Sequence, residues 1–139
     1  MPQGIRVRWG WLRFMYAYTI VGAGGFGLGM VVAPNAMQSA LGWPSQDRII
    51  LGMTGSVLFA FAILSILGLR SPLAFAPVLL LQLCYKLVWF IGVALPLLIA
   101  GQLPPHAILP AAVFATYVIG DLIAIPFAYL FAKRPDRQA

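Results

Sequence analysis

One cysteine (Cys84), one histidine (His106) and three acidic residues (Asp47, Asp121 and Asp136) are all that this 139-residue chain offers to thiol, metal or acid–base chemistry. A single cysteine excludes an intramolecular disulfide and a C-x-x-C redox pair. A single histidine excludes bis-His haem ligation within one chain, and zinc or di-iron sites lack donors. No pair of carboxylates shares an apolar stretch, and Ser39, Ser45, Ser56, Ser65 and Ser71 have no histidine partner on a helix. The expectation is therefore a chain with no catalytic residue set, no metal site and no cofactor of its own, leaning away from an enzyme.

Charge is scarce as well, at 9% of residues, where soluble domains carry about 25%. In its place stand 62% hydrophobic residues and a mean hydropathy of +0.94. A soluble core of one domain's size cannot hide that much apolar side chain. The bilayer must be the solvent. A hydrocarbon core about 30 Å thick needs roughly 20 apolar residues in helical form. Four such runs occur, at approximately 12–33, 49–69, 73–100 and 107–132, separated by the polar stretches 34–48, 70–72 and 101–106. No alternation of polarity resembles a barrel strand. Short connections force neighbouring helices to alternate in direction. The expected fold is all-α: a polytopic membrane protein in which residues 1–139 form one antiparallel bundle of four transmembrane helices.

The net charge of +6 resembles a nucleic-acid signal until the nine basic residues are located. Arg6, Arg8 and Arg13 precede the first run, Arg70 lies between the second and third, and Lys133, Arg134 and Arg137 follow the fourth. All seven fall on one side, while the other has Arg48 beside Asp47, together with His106. The Lys/Arg bias of short loops then places both termini in the cytoplasm of a bacterial-type inner membrane. No basic patch remains beyond what orientation requires, so nucleic acid is not an expected partner. The first run reads as a retained helix, since it exceeds the roughly 7–15 apolar residues of a signal peptide and no A-x-A site precedes Pro34. Trp9, Trp11, Tyr16, Tyr18 and Trp43 suit interfacial anchoring.

The outer segment PNAMQSALGWP is longer than a hairpin turn needs, and Ala36, Met37, Ala40 and Leu41 give it a short apolar face. It reads either as a short helix along the membrane interface or as an ordinary loop capped by Gly42-Trp43-Pro44. Gly22, Gly24 and Gly27 spell G-x-G-x-x-G, but a dinucleotide site needs a preceding strand and a later ribose-binding acid, and these glycines sit inside a basic-flanked span. Close helix packing is the physical alternative. Gly25 and Gly29 form G-x-x-x-G, and Gly52, Ser56 and Ala60 form a matching stripe on the second helix, joining either two helices or two protomers.

Lys86 and Asp121 are the ionisable groups deep within spans, where a charge costs on the order of 2.5–3.5 kcal/mol and faces the bundle interior. At about 1.5 Å per residue, Lys86 lies roughly 14 to 20 Å from the start of its helix and Asp121 about 18 Å from Lys133. Matching depths predict an interhelical ion pair. Gln82, Lys86, Trp89 and Val93 continue along one helical face with Tyr85 adjacent, and Tyr117, Gly120 and Asp121 supply a comparable face on the fourth helix. Two readings stand side by side. Gln82, Tyr85, Lys86, Trp89, Tyr117 and Asp121 line a small pocket for a quinone- or lipid-like ligand or a proton relay, or the pair fixes helix register. Pro96 and Pro126 are expected to bend their helices and free the carbonyls of Gly92 and Leu122, while Pro110 falls in a first turn that tolerates it.

Pro34, Leu41, Gly42 and Pro44 in the outer segment, Arg48 and Gly52 opening the second helix, the Arg70 and Pro72 turn, Lys86 within YKLVW, and Gly120-Asp121 within IGDLIAIPFAYLF form a pattern along nearly the whole chain. It resembles the DoxX-like group of small four-helix prokaryotic membrane proteins. Many members have no assigned activity, and some are similar to membrane subunits of thiosulfate:quinone oxidoreductases or to membrane partners of redox-defence proteins. The resemblance implies the four-helix fold and membrane location. The combined expectation is a non-catalytic accessory or partner subunit whose polar pocket takes a lipophilic ligand, in contact with the bilayer and with a second copy or a membrane partner protein. The alternatives are a small oligomeric proton-coupled transporter, in which Asp121 protonation alternates with Lys86 pairing, and a membrane subunit of a quinone-linked redox complex.

Overall fold

The computed structural model describes residues 5–133. Arg134 and Arg137, counted above among the basic residues that follow the fourth span, lie outside them. The described residues are helical with no strands. The elements are α1 (Trp9–Val32), α2 (Pro34–Leu41), α3 (Arg48–Arg70), α4 (Ala76–Trp89), a π-helical turn (Phe90–Ala94), α5 (Leu95–Ile99), a 3-10 turn (Pro105–Ala107), α6 (Ile108–Ala124) and α7 (Phe127–Phe131). Four stretches are long and apolar enough to cross a membrane: Trp9–Val32, Arg48–Arg70, Ala76–Ile99 and Pro105–Ala124. Val21, Val32, Ile49, Val88, Ile91 and Ile99 all stand largely exposed on their outer surfaces. Thr19, Ser65, Gln82, Lys86 and Asp121 are meanwhile buried. An apolar exterior around polar interior groups is the distribution expected where lipid, not water, surrounds the bundle.

Local chemistry sets the helix ends. The Asp47 carboxylate accepts from the backbone N–H groups of Ile49 and Ile50 at 2.9 and 3.0 Å, capping α3. The outer segment is a helix, not an irregular loop: Pro34 sits in its first turn and Gly42, at φ +67°, ends it. The Trp43 N–H reaches back to the Gln38 carbonyl at 2.9 Å, closing the left-handed cap that glycine permits.

The prolines act more strongly than bending alone. Before Pro96 the chain widens into the π-helical turn, where the Leu95 N–H bonds to the Phe90 carbonyl. The wider turn accommodates a residue that has no N–H and would crowd the carbonyl four residues back. At Pro126 the fourth helix breaks. Ile125 is extended (ψ 126°), α6 stops at Ala124, and only the five-residue α7 follows, in place of the continuous helix expected to 132. The Phe127 N–H bonds to Ile125, and the Ile123 carbonyl it would otherwise have met accepts Arg8 Nη1 at 3.1 Å. Arg8 thus caps a broken helix besides contributing charge at that end.

Packing of α1 on α3 is by glycine, though not by the stripes expected from spacing. A Cβ at Gly27 would meet the Gly55 carbonyl oxygen and the Phe59 nitrogen at 2.6 Å, and one at Gly24 would meet Ala62 at 3.1 Å. Gly68 lies against the Tyr16 ring, and Gly22 against the Tyr117 hydroxyl. The residues that spell the dinucleotide-like motif are therefore the close-packing set. Gly25 and Gly52 have nothing within 4 Å, and Ser56 and Ala60 are exposed.

Candidate functional site

Buried polar side chains from three helices meet in the bundle interior. Thr19 on α1 donates to the Met15 carbonyl at 2.7 Å and lies 3.3 Å from Gln82 Oε1 on α4. Gln82 Nε2 in turn donates to Asp121 Oδ2 on α6 at 3.5 Å. All three residues have no solvent exposure. The chain is incomplete, because Asp121 Oδ1 and the fully buried Ser65 Oγ of α3 have no hydrogen-bond partner. The contacts of Gly24 with Ala62 and of Tyr16 with Gly68 bracket Ser65 and Thr19, so the two hydroxyls stand at a similar level.

One turn beyond Gln82, Lys86 has a different set of neighbours. Its ammonium donates to the Tyr85 hydroxyl at 2.9 Å. It also lies 4.4, 5.0 and 4.3 Å from the ring centres of Tyr85, Phe114 and Tyr117, an aromatic surround that attracts a cation through the negative ring faces. The Tyr117 hydroxyl is already used, donating to the Tyr18 carbonyl at 3.2 Å. Tyr85 stacks on Phe61 of α3 and meets Phe114 edge-on, which holds its hydroxyl beside the ammonium.

The direct Lys86–Asp121 ion pair expected from matching depths is not formed. The ammonium bonds to Tyr85 and the carboxylate to Gln82, and no ion pair closes between them within 4.0 Å. Agreement within one helical turn leaves about 5.4 Å of slack, and Gln82, the residue one turn before Lys86, fills it. Of the other expected site residues, Trp89 stands apart from the polar groups. It packs edge-on against Phe90 and Phe114, 5.2 Å from each. The expected face also fails at Val93, which is 46% exposed while its neighbour Ala94 is buried. The π-helical turn holds an extra residue and rotates the face by about one position.

Lys86, Tyr85 and Tyr117 form the polar end of a cavity of about 380 Å³. Ala23, Phe26, Met30, Val57, Leu58 and Val113 form its apolar walls, and Leu41 and Trp43 lie at its other end. Gln82, Asp121 and Trp89 do not line it. Met53, Val57 and Leu109 line the cavity yet are 61, 55 and 47% exposed, so it opens sideways between α3 and α6. The Trp43 indole N–H is buried without a partner. Phe114, Thr19, Ser65 and Trp43 were not among the expected site residues; the hydroxyls at Thr19 and Ser65, isolated within apolar runs, are the signal that marks two of them.

Comparison with protein-family models, with curated proteins and with solved structures finds no match. The reading of function rests on the chain's own geometry.

Proposed function

We propose that the chain is a multi-pass inner-membrane protein that holds a lipophilic, quinone- or lipid-like molecule in its bundle and serves as a non-catalytic accessory or partner subunit. The observation that carries this reading is the 380 Å³ cavity, apolar along its walls, polar at one end around Lys86 and open at its side toward the surroundings of α3 and α6. Its size falls within the roughly 300–1,000 Å³ of small-molecule sites, and apolar walls with a few placed polar groups are their usual lining. An antiparallel arrangement is supported by the α1–α3 contacts, in which Tyr16, Gly24 and Gly27 meet Gly68, Ala62 and Gly55 in reverse order. The bond of Arg8 to Ile123 and that of Tyr16 to Pro72 bring the basic N-terminal end of α1 beside the Arg70 turn and the end of α6. The basic residues at that end support cytoplasmic termini. The half-buried Met37 and Leu41 support α2 as a segment lying along the outer interface. Membership in the DoxX-like group fits this architecture and stays part of the proposal.

Native mass spectrometry of the protein extracted with its lipids tests the reading. A retained lipophile is expected, and it is lost when Val113→Phe fills the cavity. An unaltered apo mass for both proteins overturns it. Capture of one constant partner protein supports the accessory role.

Asp121 favours a second reading, a proton-coupled transporter acting as an oligomer, because one oxygen of this buried carboxylate is unpartnered and the other meets the Gln82–Thr19 chain. Substrate-driven proton flux in liposomes, abolished by Asp121→Asn, is the result that selects it. A role in a quinone-linked redox complex requires electrons from a partner.

A further inference from the structure

We propose that the cavity's occupant is an anionic amphiphile, a long-chain carboxylate whose head binds Lys86 and Tyr85 and whose chain lies between α1, α3 and α6; this rests on the reading of the cavity as a lipophile site. The argument begins with the hydrogen-bond inventory at the polar end. An ammonium has three donors and no acceptor. One is directed to Tyr85, and because the Tyr85 oxygen accepts that bond, its own O–H remains to be given. The Tyr117 hydroxyl is committed to the Tyr18 carbonyl. The donors left for an occupant at the polar end are therefore those of Lys86 and Tyr85. A cationic amine head would be repelled by the ammonium, so the head group that fits accepts.

Charge narrows the choice further. Lys86 is 1% exposed; the Asp121 carboxylate acts on it through space, but its hydrogen bond goes to Gln82, so no carboxylate touches the ammonium. Three aromatic rings attract the cation but do not neutralise it, and a buried charge is stable only when paired. A neutral carbonyl head accepts a hydrogen bond and leaves the charge as it was. A carboxylate neutralises the ammonium and brings two oxygens to two donors, forming charge-assisted bonds that are stronger than neutral ones. The route of entry agrees. The sideways mouth between α3 and α6 is bordered by Met53, Val57 and Leu109, and within an apolar bundle surface it admits a molecule already dissolved in the membrane.

The test uses the 139-residue chain in nanodiscs, with Trp43 at the cavity end as the fluorescent reporter and Trp43→Phe as its control. The probes are dibromostearate, which quenches tryptophan on contact, its methyl ester, and decylubiquinone. Dibromostearate is expected to quench saturably and to bind at least tenfold tighter than the ester. Lys86→Met should remove that tenfold preference while the ester's affinity stays within twofold. Should Lys86→Met fold poorly, Tyr85→Phe keeps the ammonium and removes one donor, and it should weaken the carboxylate three- to tenfold without changing the ester. If ester or quinone binds as tightly as the carboxylate, and equally in both variants, the anionic head is overturned while the lipophile site stands. If none of the three probes quenches saturably, the lipophile site itself fails.

Discussion

The two ends of the bundle are packed by opposite means. Around Tyr16 the interior is solid: Leu12, Met15, Tyr16, Leu79, Leu83, Tyr117, Ala124 and Ile125 form one buried cluster. Large side chains there meet glycines, with the Tyr16 ring over Gly68 and Met15 against Gly120, and the Tyr16 hydroxyl ties α1 to the Pro72 carbonyl at 2.6 Å. Around Met30 the glycines meet each other. Gly27 and Gly55 bring the backbones of α1 and α3 together, and the space between them and α6 is left as the cavity. Where no water drives helices together, van der Waals contact decides their packing. Large against small fills the interior around Tyr16, small against small leaves the interior around Met30 hollow, and the buried polar residues stand at the boundary.

The largest effect that tests this contrast is at the solid end. Tyr16→Ala empties the volume over Gly68 and loses the Pro72 bond, and should cost about 3–5 kcal/mol, read as a lowered melting temperature in detergent. Val113→Phe at the hollow end should shift stability by less than about 1 kcal/mol, because its added volume enters existing space. A penalty of about 1–3 kcal/mol, as when a full core is overpacked, would show that the cavity is closed. At the boundary, Gln82→Leu leaves both Asp121 oxygens without a hydrogen bond and should cost about 1–3 kcal/mol. Asp121→Asn, measured in the same thermal assay, should cost below about 1 kcal/mol, since the Lys86 ammonium is bonded elsewhere. A loss of about 3–5 kcal/mol there, the cost of orphaning a buried charge, would mean that Lys86 and Asp121 depend on each other directly.

The four spans were legible because a membrane crossing is a matter of length and apolar content, whereas the outer interval 34–48 left helix and capped loop both open, since an eight-residue segment shows too few turns of apolar spacing to decide. The inward placement of Lys86, Gln82 and Asp121 was legible for the same reason, since charge and amide groups are costly in lipid. Their bonding was not, because depth along a helix is known only to a turn, and a turn decides whether Asp121 meets Lys86 or Gln82. The face through Val93 and the helix through Pro126 misled for a common reason. A fixed period of 3.6 residues has no place for the π-helical turn before Pro96 or the extended Ile125 before Pro126. The cavity left no trace in periodicity, being space enclosed by residues of α1, α2, α3, α4 and α6 together.

The smallest expected effect concerns the small residues that face outward. Gly25 and Gly52 have no neighbour within 4 Å, and Ser56 and Ala60 are exposed, so the stripe that spacing marked as a packing seam is not the seam between α1 and α3. Gly25→Leu should therefore leave stability within about 0.5 kcal/mol, while Gly27→Leu, whose side chain must enter the backbone of Gly55 and Phe59, should prevent the two helices from closing. The pair of variants separates position from composition, since both change glycine to leucine on one helix two residues apart. If Gly25→Leu instead alters the subunit count in native mass spectrometry without changing the melting of the monomer, the outward stripe is a contact between copies. The contrast of the two ends would then extend to a third surface, where small residues meet small residues across protomers as Gly27 meets Gly55 within one.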